Sequence, residues 1–257
     1  MFKIFKMKSF VTFFLSLCSF AHIMAQDEPK DTTVAKMPEL VMVFTKTMGY
    51  RHKSIEKGVK TLRELGRENG FVALQTESGE DFNSQNLNSY KLVVFLSTTS
   101  EVLNDAQQKA FEAYIRGGGA FLGIHAATDT EYEWPWYGKL VGGYFDSHPN
   151  DPNVRKATID VVSKAHPSTE HLQDSWTRMD EWYNFKNLNP NVNVLLNLEE
   201  GSYEGGANGS NHPIAWYHEF DGGRAFYTGG GHTEASFDEP DFRQHLLGAI
   251  EWCLKRK

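Results

Sequence analysis

GGGAFLGIHAATD, residues Gly117 to Asp129, decides how the rest of the chain is read. After three glycines, the apolar run Ala120 to Ile124 reads as a strand buried on both faces, and it delivers His125 at its carboxyl end. Small Ala126 and Ala127 and polar Thr128 and Asp129 then make a tight turn. Ligands of open α/β sheets sit outside the carboxyl ends of the strands, so an imidazole delivered there is a candidate for chemistry.

The same grammar recurs upstream. Leu40 to Thr45 (LVMVFT) is a continuous apolar strand, followed by a polar loop, Lys46 to His52, that carries Tyr50 and a second strand-end histidine. Ser54 is expected to cap a helix whose stripe is Ile55, Val59, Leu62 and Leu65, closed by Asn69-Gly70. Strands follow at Phe71 to Thr76 and Lys91 to Ser97. Asn104 and Gln107 have the spacing of a capping box for a helix with Ala106, Phe111, Tyr114 and Ile115 on its apolar face. Strand alternating with helix implies right-handed crossovers and a doubly wound parallel sheet.

Downstream the texture changes. Val154 to Val162, Trp176 to Phe185 and Val192 to Leu198 read as extended segments, and Ile214 to Phe220 faces Arg224 to Thr228 across Asp221-Gly222-Gly223, a hairpin signal. These are expected as antiparallel or edge additions. A last helix is predicted with Asp238 as its N-cap, Pro240 in its first turn, and Phe242, Leu246, Ala249, Ile250 and Cys253 on one stripe. With no internal repeat, residues 39–257 are read as one α/β domain.

Lys3, Lys6 and Lys8 before the apolar run Phe10 to Phe20, with small Ala25 beyond, read as a signal peptide over residues 1–25. The run is about half of the ~20 residues a membrane span needs, so no stable membrane insertion is expected after cleavage. Residues 26–38 are polar and read as a flexible lead. The expected location is periplasmic or extracellular. Cys18 offers a lipoprotein alternative, although Leu17 before it is larger than the residues such sites carry. The net charge of −7, more negative once three lysines leave with the signal, argues against nucleic-acid binding. Cleavage also leaves Cys253 as the lone cysteine, so no intrachain disulfide can form.

A third strand-end imidazole is His232, after Gly229, Gly230 and Gly231, and Glu234 two residues on is expected to orient it for proton transfer. Neither glycine triplet has the lysine and hydroxyl of a phosphate-binding loop. His52, His125, His148 and His232 all stand in predicted loops at one sheet edge, where three imidazoles, or two with a carboxylate, would hold zinc with an open position. No short ligand spacing supports a metal, and ordinary hydrogen-bonded histidines are the alternative. The loops also offer flat aromatic faces beside carboxylates, which suits a polyhydroxylated ligand as well as it suits a sealed core edge. The residues expected to meet such a ligand are Tyr50, His52, Asp129, Trp136, His148, Glu181, Trp182, Tyr183 and Trp216.

TKTMGYRH (Thr45 to His52), GGGAFLGIHAATDT (Gly117 to Thr130), WPWYGKLVGGYFDSHP (Trp134 to Pro149), DEWYNF (Asp180 to Phe185), HPIAW (His212 to Trp216) and GRAFYTGGGH (Gly223 to His232) together resemble the ThuA-like, or trehalose-utilisation, family. The resemblance runs from about Leu40 to Trp252. It implies a fold similar to the class I glutamine amidotransferases, a flavodoxin-like parallel sheet with added antiparallel strands, and a place in carbohydrate catabolism, on disaccharides oxidised to the 3-keto form. Amidotransferases carry a nucleophilic cysteine in a strand-to-helix elbow and a His-x-Glu pair after a later strand. Here His125 stands in the elbow, His232 and Glu234 resemble the pair, and Cys253 is far off on a helix, so glutamine hydrolysis is excluded.

Three functions remain open at this level. One is an enzyme doing acid/base chemistry on a sugar or 3-keto-sugar through His125 and His232; the others are a metal-dependent hydrolase and a non-catalytic carbohydrate-binding module. The leader reading has a direct check: intact mass of protein from its native host should place the mature start near Gln26. Full-length chain beginning at Met1 would overturn export, and a diacylglyceryl mass on Cys18 would establish the lipoprotein.

Overall fold

The computed structural model describes residues 1, 2 and 37–257, of which Met37–Lys257 form one compact unit. The leader and all but the last two residues of the lead lie outside the described residues, Met1 and Phe2 apart. Among the described residues, no helix is long and apolar enough to cross a membrane.

The chain opens with β1 (Glu39–Phe44), α1 (Ile55–Asn69), β2 (Phe71–Thr76), a short α2 (Ser84–Leu87), β3 (Tyr90–Leu96), α3 (Asp105–Arg116) and β4 (Ala120–Ile124). Then come α4 (Pro135–Val141), β5 (Tyr144–Ser147), β6 (Val154–Val161), β7 (Ser175–Glu181), β8 (Asn184–Lys186) and β9 (Asn193–Leu198). The chain ends with β10 (Pro213–Phe220), β11 (Gly223–Thr228) and α5 (Pro240–Cys253). Nine strands form one sheet in the order β2-β1-β3-β4-β11-β10-β9-β6-β7, while β5 and β8 pair separately. The expected α/β architecture therefore holds: β2, β1, β3, β4 and β11 are parallel, and the rest are antiparallel additions.

Local chemistry explains most element ends. Gly70 closes α1 in the left-handed region, at φ 72°, where glycine carries no Cβ penalty. Asn104 and Gln107 form the reciprocal capping box at the start of α3. Asp221 and Gly222, both at positive φ, turn β10 into β11 as a two-residue hairpin requires. Two caps differ from expectation. Ser54 makes no side-chain cap; its hydroxyl donates to the Gly231 carbonyl at 2.8 Å, which ties the β1 loop to the β11 loop. The N-cap of α5 is Glu239, one residue after Asp238, because Asp238 still belongs to a short 3-10 turn.

The core is continuous, from Val41, Val43 and Phe44 on β1 to Leu246, Ala249 and Ile250 on α5. Cys253 lies buried in it with its thiol donating weakly to the Phe121 carbonyl at 3.7 Å, and burial pushes the thiol far above its ordinary pKa. It is a small hydrophobe, not a nucleophile.

Several histidines are buried too. Burial lowers His166 to about 4, His245 to about 3 and His52 to about 2, and moves His218 in the same direction. Unfolding returns each to about 6.5, so below that value the unfolded chain binds more protons and stability falls with pH. Glu131, raised by burial to about 7, and Asp129, also raised by burial, act in the opposite sense: their contributions are present at low pH and lost as it rises. The imidazoles outnumber the carboxyls, so the melting temperature should drop between pH 7 and pH 5 in calorimetry. A melting temperature that holds or rises over that interval would show that these rings are not held neutral.

Candidate functional site

Three parallel strands deliver three imidazoles to one edge. His125 follows β4 at φ 53°, a left-handed conformation that costs a non-glycine residue about 1–3 kcal/mol. Its backbone carbonyl accepts from the Tyr227 hydroxyl at 2.8 Å, and its Nδ1 lies 2.9 Å from the Gly229 carbonyl. A carbonyl can only accept, so Nδ1 carries a proton and Nε2 is the nitrogen turned inward. His232 follows β11 through the glycine triplet. A Cβ on Gly230 would stand 2.5 Å from Arg178 Nη1, and Gly231 has φ 114°, so neither position admits a side chain. His52, beyond β1, packs its ring edge-on to His125 at 4.7 Å and to His232 at 5.2 Å.

The fourth group is a carboxylate from the far edge of the sheet. Antiparallel pairing from β11 through β10, β9 and β6 to β7 reverses direction four times, so β7 runs in the sense of β4 and β11 and ends at the same edge. Its last residue is Glu181. One step back, fully buried Asp180 accepts from Gly231 N at 2.8 Å, His232 N at 3.1 Å, the Ser236 hydroxyl at 2.9 Å and Arg178 Nη1 at 2.9 Å. These bonds lock the end of β7 against the glycine loop.

Glu181 Oε2 then lies 2.9 Å from His232 Nδ1 and 3.3 Å from His125 Nε2, and Oε1 accepts from Asn153 Nδ2 at 2.7 Å. One donor atom each from His52, His125, Glu181 and His232 lies within 4.8 Å of the others. Burial opposes the charge on Glu181, but the His125 and His232 rings beside its Oε2 win and hold the carboxyl well below its usual range. His52 is held neutral by burial and by its two imidazole neighbours, and its buried Nδ1 has no partner among the described residues.

His52, Glu181 and His232 of this cluster line a pocket of about 250 Å³ together with Tyr50, Asp129, Phe145, His148, Asn153 and Tyr183. Tyr183 lies over His125 at 4.4 Å, and His148 Nδ1 stands 3.7 Å from Glu181 Oε1. Of the residues expected to meet a ligand, Tyr50, His52, Asp129, His148, Glu181 and Tyr183 are brought together here. Three tryptophans are not. Trp182 and Trp216 are fully buried with indole N–H groups on the carbonyls of Arg155 and Val141, both at 2.8 Å. Trp136 donates to Asp221 at 2.9 Å, in the β10–β11 turn, at the opposite edge of the sheet. Glu234, expected beside His232, is exposed, and the carboxylate that lies against His232 Nδ1 is that of Glu181. Among the four histidines expected to hold zinc, His148 is replaced in the cluster by Glu181. Asn153 and Phe145 carry no sequence signal beyond polar and apolar loop residues.

A profile of the ThuA family, described as trehalose utilisation, matches residues 40–253. The chain belongs to the ThuA family. Among solved structures, this ThuA-family chain is similar to a ThuA-like protein of Bacteroides uniformis ATCC 8492 (TM-score 0.73, 24% identity, covering 87% of this chain and 94% of that one). A ThuA-like protein of Parabacteroides merdae ATCC 43184 is similar at TM-score 0.68 and 19% identity, over 86% and 91% of the two chains. More distantly, 84% of the chain aligns with 31% of a β-galactosidase of Bacillus circulans sp. alkalophilus, at TM-score 0.54 and 12% identity. At these identities the likeness is one of fold. No curated protein matches the sequence.

The Asp180 clamp is testable. Asp180→Asn sets an amide N–H₂ against groups that are all donors, and should cost about 3 kcal/mol in urea unfolding. Ser236→Ala, which removes one donor, should cost about 1 kcal/mol. An Asp180→Asn protein as stable as the parent would show that the loop is held by something else.

Proposed function

We propose that this ThuA-family protein is an exported enzyme of carbohydrate catabolism that acts on a sugar or 3-keto-sugar, and that its pocket is built around one divalent metal ion, zinc by its donor set, held by His52, His125, Glu181 and His232. The observation that carries this reading is the convergence of three imidazoles and a carboxylate within 4.8 Å, one of the imidazoles with a buried, unpartnered nitrogen. A buried polar atom without a partner costs about 1–3 kcal/mol, which a coordinated cation would offset. The Gly229 carbonyl on His125 Nδ1 is the outer-shell partner that metal-bound histidines carry.

When bound, such an ion polarises a carbonyl or hydroxyl oxygen and so acidifies the neighbouring C–H. His52, Glu181 and His232 face the pocket, whereas His125 is wholly buried behind them. That arrangement makes His125 a ligand and leaves the pocket side for a substrate oxygen. Tyr183 and Phe145 offer flat faces to a sugar ring, and Asp129, His148 and Asn153 offer hydrogen bonds to its hydroxyls. A second reading rests on the 2.9 Å contact of His232 with Glu181: the same residues as a metal-free proton relay in which Glu181 orients both imidazoles. A binding module needs neither arrangement.

Elemental analysis and turnover separate the readings. Protein purified without chelator should hold one zinc-class ion per chain, and Glu181→Ala or His52→Ala should weaken its binding ~10–100-fold or more. Chelation should abolish turnover of 3-keto-disaccharides, and added zinc should restore it. Turnover that persists in metal-free protein selects the relay, and ligand binding without turnover selects the binding module.

A further inference from the structure

The proposed centre leaves the transferred proton without a carrier, since its imidazoles and Glu181 are committed to one another. Asp129 lines the same pocket, at the end of the turn that carries His125. Its backbone is pinned from both sides: its N–H donates to Ala126 at 2.8 Å and its carbonyl accepts from Ser100 at 2.8 Å. The Tyr132 hydroxyl donates to Asp129 Oδ1 at 2.6 Å, and the Tyr132 ring is held by stacking on Tyr144 at 5.2 Å, with Lys186 Nζ 5.3 Å from its centre. Asp129 Oδ2 hydrogen-bonds nothing among the described residues. The carboxylate is thus fixed by one oxygen and bare at the other.

We propose that Asp129, oriented by Tyr132, is the general base and acid of this pocket, taking a proton from substrate carbon and returning it. The proposal rests on the enzyme reading above. In the step, a C–H bond next to a carbonyl breaks as an O–H bond forms on Asp129 Oδ2, and the electron pair moves onto the carbonyl oxygen as an enediolate. Return of the proton to the former carbonyl carbon, with the hydroxyl proton of the adjacent carbon passing to the former carbonyl oxygen, gives the isomer, and return to the same carbon gives exchange alone; no oxidant or reductant is needed. The environments of the two carboxylates agree with this division of labour. Burial raises Asp129 above its ordinary range, opposed by the Tyr132 hydrogen bond and by the charges of His125, Lys186 and His148, while Glu181 is held down as a permanent anion. His148, which also lines the pocket, has its Nδ1 2.9 Å from the Pro149 carbonyl.

The test is solvent deuterium exchange into 3-keto-trehalose and 3-ketoglucose, followed by NMR in D₂O. Wild type should exchange the hydrogen next to the keto group, and Asp129→Asn should lose ~10²–10⁴-fold in that rate while keeping its melting temperature and full metal content. Tyr132→Phe removes a bond that stabilises the anion, so it should lower the rate less and move the acid limb of kcat/KM to higher pH. A folded, metal-loaded Asp129→Asn protein that exchanges at the wild-type rate overturns the assignment and passes the role to His148. No exchange by wild type removes the enzyme reading, and this one with it.

Discussion

A carboxylate sealed from water must be met by donors, and Asp180 is met by five: the backbone N–H groups of Glu181, Gly231 and His232, the Ser236 hydroxyl and the Arg178 guanidinium. That requirement does more than stabilise β7. The last antiparallel strand of the sheet is forced against the loop after the last parallel one, and this sets Glu181 beside His232. The glycines of the loop follow from the same constraint, because the Arg178 guanidinium that meets Asp180 occupies the space a side chain on Gly230 would need. Arg178 is itself held by Glu239 at the start of α5, at 2.8 Å, so the clamp runs from the antiparallel edge to the final helix.

Neighbouring acidic residues thereby acquire opposite duties. Asp180 serves only backbone and structural donors, while Glu181 faces imidazoles and the pocket. A single charge shared by His125 and His232 keeps both rings aimed inward without any charged residue from bulk solvent. The strained turn at His125 belongs to the same arrangement: the chain leaves β4 through a left-handed residue whose ring is held on the Gly229 carbonyl.

Much of this was legible in the sequence, and the reasons for the rest are physical. Apolar runs ended by caps and glycines gave the strands β1 to β4 and the helices α1, α3 and α5 to within a residue or two, because these signals are local. Strand-end placement found His52, His125 and His232 for the same reason. Glu181 was named only as one carboxylate among several, since its arrival depends on the number of strand reversals between β11 and β7, a property of the whole sheet. Glu234 is the carboxylate nearest His232 in sequence, yet the short turn after His232 leaves it in solvent. The tryptophans misled in another way: an indole near a loop end can face ligand or core, and the carbonyls of Arg155 and Val141 that claim Trp182 and Trp216 belong to distant segments. Ser54 had the right residue type for a cap, but a carbonyl from the far loop competed for its hydroxyl and won.

The four donors come from positions 52, 125, 181 and 232, each at the end of a different strand or the loop beyond it. No contiguous fragment shorter than most of the domain holds them all, so the centre comes into being only when the sheet closes in its final order. An ion held there acts as a staple across the longest loops of the chain, and by mass action its binding free energy is added to the folding free energy of the entire domain. The abundance of folded protein would then follow the metal supply of the compartment in which it folds.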